Sequence, residues 1–306
     1  MIRLFITLIW GFYEWYLRPA IKFALRRATG KCELHRLILA YPRGAMRTFA
    51  IEQSMRRSKC DPLRNALPWT VHFDYNSRAS ELARIKNVDI SSLSVFSSEF
   101  IYSLKQIHAY ERLLTETNVL KSTAFDPDNI AHQLLLTQLW NDLSPVEQNA
   151  DPASRRWSLI GFQTDNPHTD FRGMGILSLK NMVYFSNHHT KLARSLLSAS
   201  NHPQHWYPFA ILAINVTEML YVFLEKGQLK NQFYNTADQC SLEDFHKLFC
   251  FTFHSFHEYW MNTVRDVMFF NFHREQFRSR LESRLQSSDC RLGLTGSNGD
   301  VSFFEP

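Results

Sequence analysis

One arginine in this chain sits where its guanidinium could face a partner. Between Trp157 and Phe185 the sequence reads WSLIGFQTDNPHTDFRGMGILSLKNMVYF. A Gly161-Phe162-Gln163 turn leads into Asn166-Pro167-His168-Thr169-Asp170, Phe171-Arg172-Gly173 follows, and an apolar run at helical spacing begins. Arg172 thus lies between turn chemistry and a helix start. The chemistry it offers is a fixed positive charge whose planar fork donates several hydrogen bonds in set directions. A plainer reading fits the same residues. Arg172 is two positions from Asp170 and can form a structural ion pair with it or with another carboxylate, as arginines that serve folding do.

Other candidate chemistry is thinner. Thirteen histidines include His188-His189, His202 with His205, and His254 with His257. The last pair falls at i,i+3 on an expected helix, but no acidic or cysteine partner comes at metal-ligand spacing. No GxxxxGK[ST] loop is present to hold a nucleotide's phosphates. No Ser/His/Asp or Cys/His nucleophile arrangement is evident. Cys32, Cys60, Cys240, Cys250 and Cys290 are odd in number, widely spaced and outside any CxxC pattern, which fits a reducing compartment better than a disulfide framework.

The pattern W-x3-GFQ-x3-P-x-TDFRG-x-G-x3-L-x4-YF resembles the signature of the ELMO domain, and most closely that of the small ELMO domain-containing (ELMOD) proteins. Ser200-Asn201-His202-Pro203, Ile214 to Met219 and Thr29 to Leu34 extend the likeness. The resemblance implies stimulation of GTP hydrolysis on Arf-family (Arf and Arf-like) small GTPases. It also implies that Arg172 is the arginine supplied in trans as the catalytic group. The larger ELMO scaffold proteins share the domain but belong to exchange complexes, so the alternative is a non-catalytic scaffold or adaptor. A GTPase-activating protein needs no cofactor of its own, because GTP and magnesium belong to the partner.

On this reading the neighbours of Arg172 have expected parts. Pro167 restricts the approach to the turn. Asp170 can cap the helix that begins near Gly173 or Met174, through amides left free in its first turn. Gly173 and Gly175 keep side chains out of the partner's way. Trp157, Phe162 and Phe171 pack beneath the turn, Gln163 offers a polar contact, and Gly161 and Thr169 complete the motif.

The elements that must hold this turn are expected to be helices. Only ten glycines occur, too few for an all-β chain rich in tight turns, and long stretches follow helical spacing. Ala40 to Pro68 is broken by prolines and reads as loops with a short helix. Phe96, Phe100, Leu104, Ile107 and Leu114 share one helical face. Asp126-Pro127-Asp128 marks a helix start, and Leu134, Leu135, Leu139 and Trp140 fall on one side of the run to Leu143. Residues 147–154 form a polar break. Thr190 to Ser200 is a short amphipathic helix. Tyr207 to Leu224 is apolar enough to suggest a membrane span, but Asn215, Thr217 and Glu218 would be costly in lipid, so a buried helix is expected. Ser241 and Asp244 suit N-cap and N3 of a helix to about Trp260. A last helix is expected over Val264 to Leu285.

The fold class expected is therefore all-α: an ELMO domain over residues 120–288, a helical extension over 29–119, and a disordered tail over 289–306. Residues 1–28 join an apolar run, Leu4 to Leu17, to Arg18, Lys22, Arg26 and Arg27. The run is short of the ~20 residues a bilayer needs and contains Glu14. No cleavage site follows it. It suits either an interfacial membrane anchor or a helix docked on its own domain. The basic start is either a solvated face or, since it follows a strongly apolar run, a segment that meets a membrane surface; no nucleic-acid fingerprint accompanies it. The location expected is cytoplasmic, peripherally on an intracellular membrane.

Overall fold

A computed structural model of the chain describes residues 16–144, 156–262 and 265–294. Among the described residues every regular element is a helix. Most of the apolar run, the polar break at 147–154 and residues 295–306 lie outside them. The chain divides into two units, Met1–Glu111 and Arg112–Pro306.

The first unit contains α1 (Arg18–Thr29), α2 (Glu33–Ala40), α3 (Ala45–Arg56), α4 (Asp61–Arg64), α5 (Tyr75–Ile85) and the first two-thirds of α6 (Ile90–Ser122). Phe96, Phe100, Leu104 and Ile107 form the buried face of α6, together with Leu34 and Ile38 of α2 and Ile51 and Met55 of α3. Beyond that stretch of α6, Leu113 is buried and Leu114 is not. The prolines of the basic stretch fall outside α3, which therefore runs twelve residues where mostly loop was expected. Two buried polar contacts tie the unit's helices and loops together. Thr48 Oγ1 meets Gln106 at 2.5 Å, and His108 Nε2 shares a hydrogen bond with the Ala66 carbonyl at 3.0 Å. Burial holds His108 below the usual imidazole value.

The second unit is organised around α8 (Gly175–His188), α10 (Phe209–Glu225) and α12 (Leu242–Met261), all heavily buried. Against them pack α7 (Ile130–Leu143), α9 (Thr190–Ser200) and α13 (Phe270–Leu285), with α11 (Lys230–Thr236) completing the set. The polar residues of the apolar run Tyr207 to Leu224 are used inside the unit or face out. Thr217 accepts from Asn181 Nδ2 at 2.9 Å, Asn215 Oδ1 accepts from Arg274 at 3.0 Å, and Glu218 is exposed. No helix among the described residues is long and apolar enough to cross a membrane. Asn181 Oδ1 also meets His246 Nδ1 at 2.6 Å, so one buried polar chain joins α8, α10 and α12.

Several sequence expectations shift in detail. Ser241 and Asp244 do form the reciprocal capping box of α12. The start of α7 is capped by Asn129, whose side chain accepts from Ala131 N; Asp126 instead closes a turn onto Asp128 N. The last long helix begins at Phe270, because Asp266 caps a separate 3-10 turn over Val267–Phe269. Residues 289–294 do not behave as a disordered tail. Cys290 and Leu292 are buried, and the Gln232 amide bonds both the N–H and the carbonyl of Leu292. A serine- and glycine-rich composition concealed two apolar anchors and the amide that holds them.

Candidate functional site

The motif folds as two short 3-10 turns, Trp157–Ile160 and Pro167–Gly173, ahead of α8. Two glycines fix its ends by close backbone approach. Gly161 has φ 85° and lies against the backbone of Pro208, Phe209 and Ala210, so an added Cβ would collide with the start of α10. Its carbonyl accepts from Ile211 N at 3.3 Å. Gly175 has φ 51°, and a Cβ there would strike the carbonyls of Leu120, Lys121 and Thr123 at the end of α6. Ile176 N donates to that Thr123 carbonyl at 3.0 Å. The loop is thus clamped between two helix ends of its own unit. Gly175 is buried and serves this clamp, not the partner clearance expected of it.

Beneath the turn runs a series of edge-on and tilted rings. Trp140 meets Trp157 at 5.1 Å, Trp157 meets Phe162 at 5.6 Å, Phe162 meets Phe171 at 5.7 Å, and Phe171 meets Phe125 at 5.7 Å. Trp157, Phe162 and Phe171 are buried as the sequence suggested, and so is Pro167. Phe125 extends the series to His132 and His168. Sequence reading passed over Phe125, which stands alone between two helices without periodic neighbours. Edge-to-face rings each contribute about 0.5–1.5 kcal/mol beyond their burial, which suits a rigid support.

Carboxylates close the loop from above. Asp170 Oδ2 accepts from Gln163 N at 2.9 Å, which corrects the expectation that Asp170 caps the following helix. Its side chain turns back toward the 3-10 segment because the first turn of α8 is already served by the Thr123 carbonyl and the Gly175 bend. Asp165 Oδ1 accepts from both Ser158 N and Ser158 Oγ, at 3.0 and 2.9 Å, and these bonds hold its carboxyl below the usual carboxylate range. Thr169 Oγ1 donates to the Asn166 carbonyl at 3.0 Å. Asp165 and Ser158 were missed in the sequence, where both read as ordinary loop polarity.

Arg172 stands at the end of this braced turn. It is exposed, as are Gly173 beside it and Gln163 across the loop. Among the described residues it has no hydrogen-bond or ion-pair partner, and Asp170 does not bond it. Gly173 has open space where a Cβ would stand. On α7, Ile130 and Leu134 are 74% and 63% exposed at i,i+4 spacing, on the helix whose His132 joins the ring series through Phe125. Of the set expected on one side, Leu139 and Trp140 are buried, with Leu143, whereas Leu134 is not. Ile130 and Leu134 stand two positions either side of His132, so this exposed pair lies on the opposite side of α7 from the ring contact.

No group of three or more His, Cys, Asp or Glu side chains able to hold a metal occurs among the described residues. His257 instead shares a hydrogen bond with Tyr207 at 2.9 Å, and His254 lies near Glu258. The five cysteines are free thiols, four of them buried, and burial pushes Cys240 up to about 12.

Comparison with known proteins places this geometry in a family. The profile of the ELMO/CED-12 family matches residues 115–274. ELMO domain-containing protein 2 of Homo sapiens is 37% identical over 294 aligned residues, covering 95% of this chain and 99% of the relative. ELMO domain-containing protein 1 of Mus musculus is 35% identical over 311, covering 95% of each. ELMO domain-containing protein B of Dictyostelium discoideum is 29% identical over 273, covering 88% and 94%. The matched stretch holds the clamped turn, its ring support and Arg172, and the chain belongs to the ELMO/CED-12 family.

Proposed function

We propose that the chain is a GTPase-activating protein for Arf-family small GTPases, with Arg172 as the group it supplies. A GTPase already holds its nucleotide, magnesium and attacking water. What a partner can add is positive charge against the phosphoryl oxygens as charge develops in the transition state. One arginine delivered in trans contributes roughly 10³ to 10⁵ in rate, or about 4–7 kcal/mol of barrier. The observation that carries this reading is Arg172 itself: exposed, without an intramolecular partner among the described residues, on a turn fixed by buried rings and two glycine contacts. A finger must be accessible before binding and positioned when bound. Lysine is a poor replacement, since it lacks the planar fork.

The test is single-turnover GTP hydrolysis by a panel of purified Arf and Arf-like GTPases, with the wild-type chain and Arg172→Ala. Stimulation by wild type alone, with both chains folded, supports the assignment and identifies a substrate. Stimulation by neither, despite binding to a GTP-loaded member, turns the same surface into a scaffold's docking face.

A further inference from the structure

Two places in the chain carry a pair of arginines two and three positions ahead of a hydroxyl: Arg26-Arg27-Ala28-Thr29 and Arg155-Arg156-Trp157-Ser158. Protein kinases select substrates by charge pattern, and an acidic cleft accepts a guanidinium pair at this spacing from the acceptor. Such a cleft binds the acceptor segment extended, so the segment must leave its fold cheaply. The structure separates the two places on that ground. Trp157 stands between the arginine pair and Ser158, is 4% exposed, and packs on Trp140 and Phe162. Extending that segment breaks the ring support of its own loop. The Ser158 hydroxyl is also committed to Asp165.

Thr29 is placed differently. It is the last residue of α1, and every residue from Phe23 to Gly30 is exposed. Helix α1 has no buried residue. Polar contacts hold it: Lys22 and Arg18 to Glu33, Arg18 to the Arg57 carbonyl, and Arg26 to the Lys86 carbonyl at 3.1 Å. Gly30 ends the helix at φ 68°, with open space where a Cβ would stand. Residues 26–30 can therefore enter an extended cleft at the cost of one helical turn and no core burial.

We propose that Thr29 is a phosphorylation site for an arginine-directed protein kinase, and that the phosphate loosens α1 from the first unit. In the transfer Thr29 Oγ1 attacks the γ-phosphorus of ATP. An Oγ1–P bond forms, the bond from that phosphorus to the β-phosphate oxygen breaks, ADP leaves, and the hydroxyl proton passes to the kinase's base. In the unmodified chain Oγ1 donates to the Leu25 carbonyl at 2.6 Å and accepts from Lys31 N at 3.3 Å. The ester has no hydrogen left to donate. It also sets about two negative charges at the C-terminal end of α1, where the helix dipole is already negative. Arg26, one turn back, is drawn from the Lys86 carbonyl toward the phosphate.

The experiment treats the folded full chain with ATP and the catalytic subunit of cyclic-AMP-dependent protein kinase, an arginine-directed enzyme, and locates phosphate by mass spectrometry. Phosphate is expected at Thr29, absent from Thr29→Val and much reduced in Arg26→Ala with Arg27→Ala. Circular dichroism verifies the fold of each variant. Synthetic peptides of residues 23–33 and 152–162 should both be modified, whereas the folded chain should spare Ser158. A folded chain left unmodified at Thr29 would overturn the site, and label at Ser158 in the folded chain would overturn the distinction between the two. Amide exchange reads the consequence. The last turn of α1 should exchange about two- to fivefold faster in the phosphorylated chain, while kinase-treated Thr29→Val keeps its own rate. Equal or slower exchange with phosphate in place would overturn the loosening.

Discussion

Arg47 in the first unit and Arg172 in the second show two uses of the same side chain. Arg47 is 3% exposed, its Nη2 lies 2.7 Å from Glu99 Oε2, and its guanidinium stands 5.8 Å from the centre of Tyr102. The hydrogen bond from Arg43, with the charge of Arg47, holds Glu99 below the usual carboxylate range. Arg172 is exposed, and the nearest aspartate in sequence is committed to a backbone amide instead. The structural role considered for Arg172 in the sequence is the role Arg47 performs. The difference teaches where to look for function: the chain neutralises an arginine it needs for folding, and among the described residues Arg172 has no such neutraliser.

The largest effect should come from Arg172→Ala, which is expected to lower stimulated hydrolysis about 10³-fold or more, with a melting temperature like that of wild type. Exposed substitutions away from contacts usually stay within about 0.5 kcal/mol. A stability loss of several times that size would break the comparison.

Next in size is a pH effect whose largest contributions come from the buried region of the second unit. His246 is pushed down to about 4 by burial first, then by Lys180 and His188, and His257 to about 4 by burial and then His254. Their folded values lie below the unfolded value of about 6.5, so the unfolded chain binds more protons between those limits. Stability from the neutral rings is full above about pH 6.5 and is lost as pH falls toward 4, on the order of 3 kcal/mol per ring. Denaturant unfolding at stepped pH measures this. His257→Gln should reduce the dependence by that ring's own share, and an unchanged slope would put the protons elsewhere. Arg172→Ala should run parallel to wild type throughout.

Arg47→Ala is the mirror experiment. It leaves Glu99 without that buried partner and is expected to cost about 3 kcal/mol in denaturant unfolding, while stimulation per folded molecule persists. Within the motif, Gly175→Ala should cost about 2 kcal/mol or more, since it adds a Cβ at positive φ against three carbonyls. Gly173→Ala meets open space and should move the unfolding midpoint little. Equal midpoints for the two glycine variants would contradict the clamp. Smaller than the Gly175 effect is that of Asp170→Ala, about 1–2 kcal/mol for the lost bond to Gln163 N. It should slow stimulated hydrolysis by loosening the turn without abolishing it.

Much of this was legible in the sequence. Helical periodicity located α7, α9 and α10, and the Ser241/Asp244 pair marked the start of α12. The motif located Arg172 and the rings below it. The roles of Asp170 and Gly175 were misread, because Asp170 turns back to an amide within its own loop and Gly175 depends on a positive φ that spacing does not show. Leu134 shares the stripe of Leu139 and Trp140 but not their burial, because a one-sided count of leucines does not say which edge of the stripe meets the core. Cys290 and Leu292 were hidden by a polar composition, since burial there follows from Gln232, far away in sequence.

The most direct test of the central claim is the rate of GTP hydrolysis at saturating concentrations of the chain, compared for wild type and Arg172→Lys on the responsive GTPase. The account predicts that the lysine variant binds the GTP-loaded partner with nearly unchanged affinity and loses most of the rate at saturation. A saturated rate equal to wild type, or a loss explained wholly by weaker binding, would contradict Arg172 as the group that acts on the transition state.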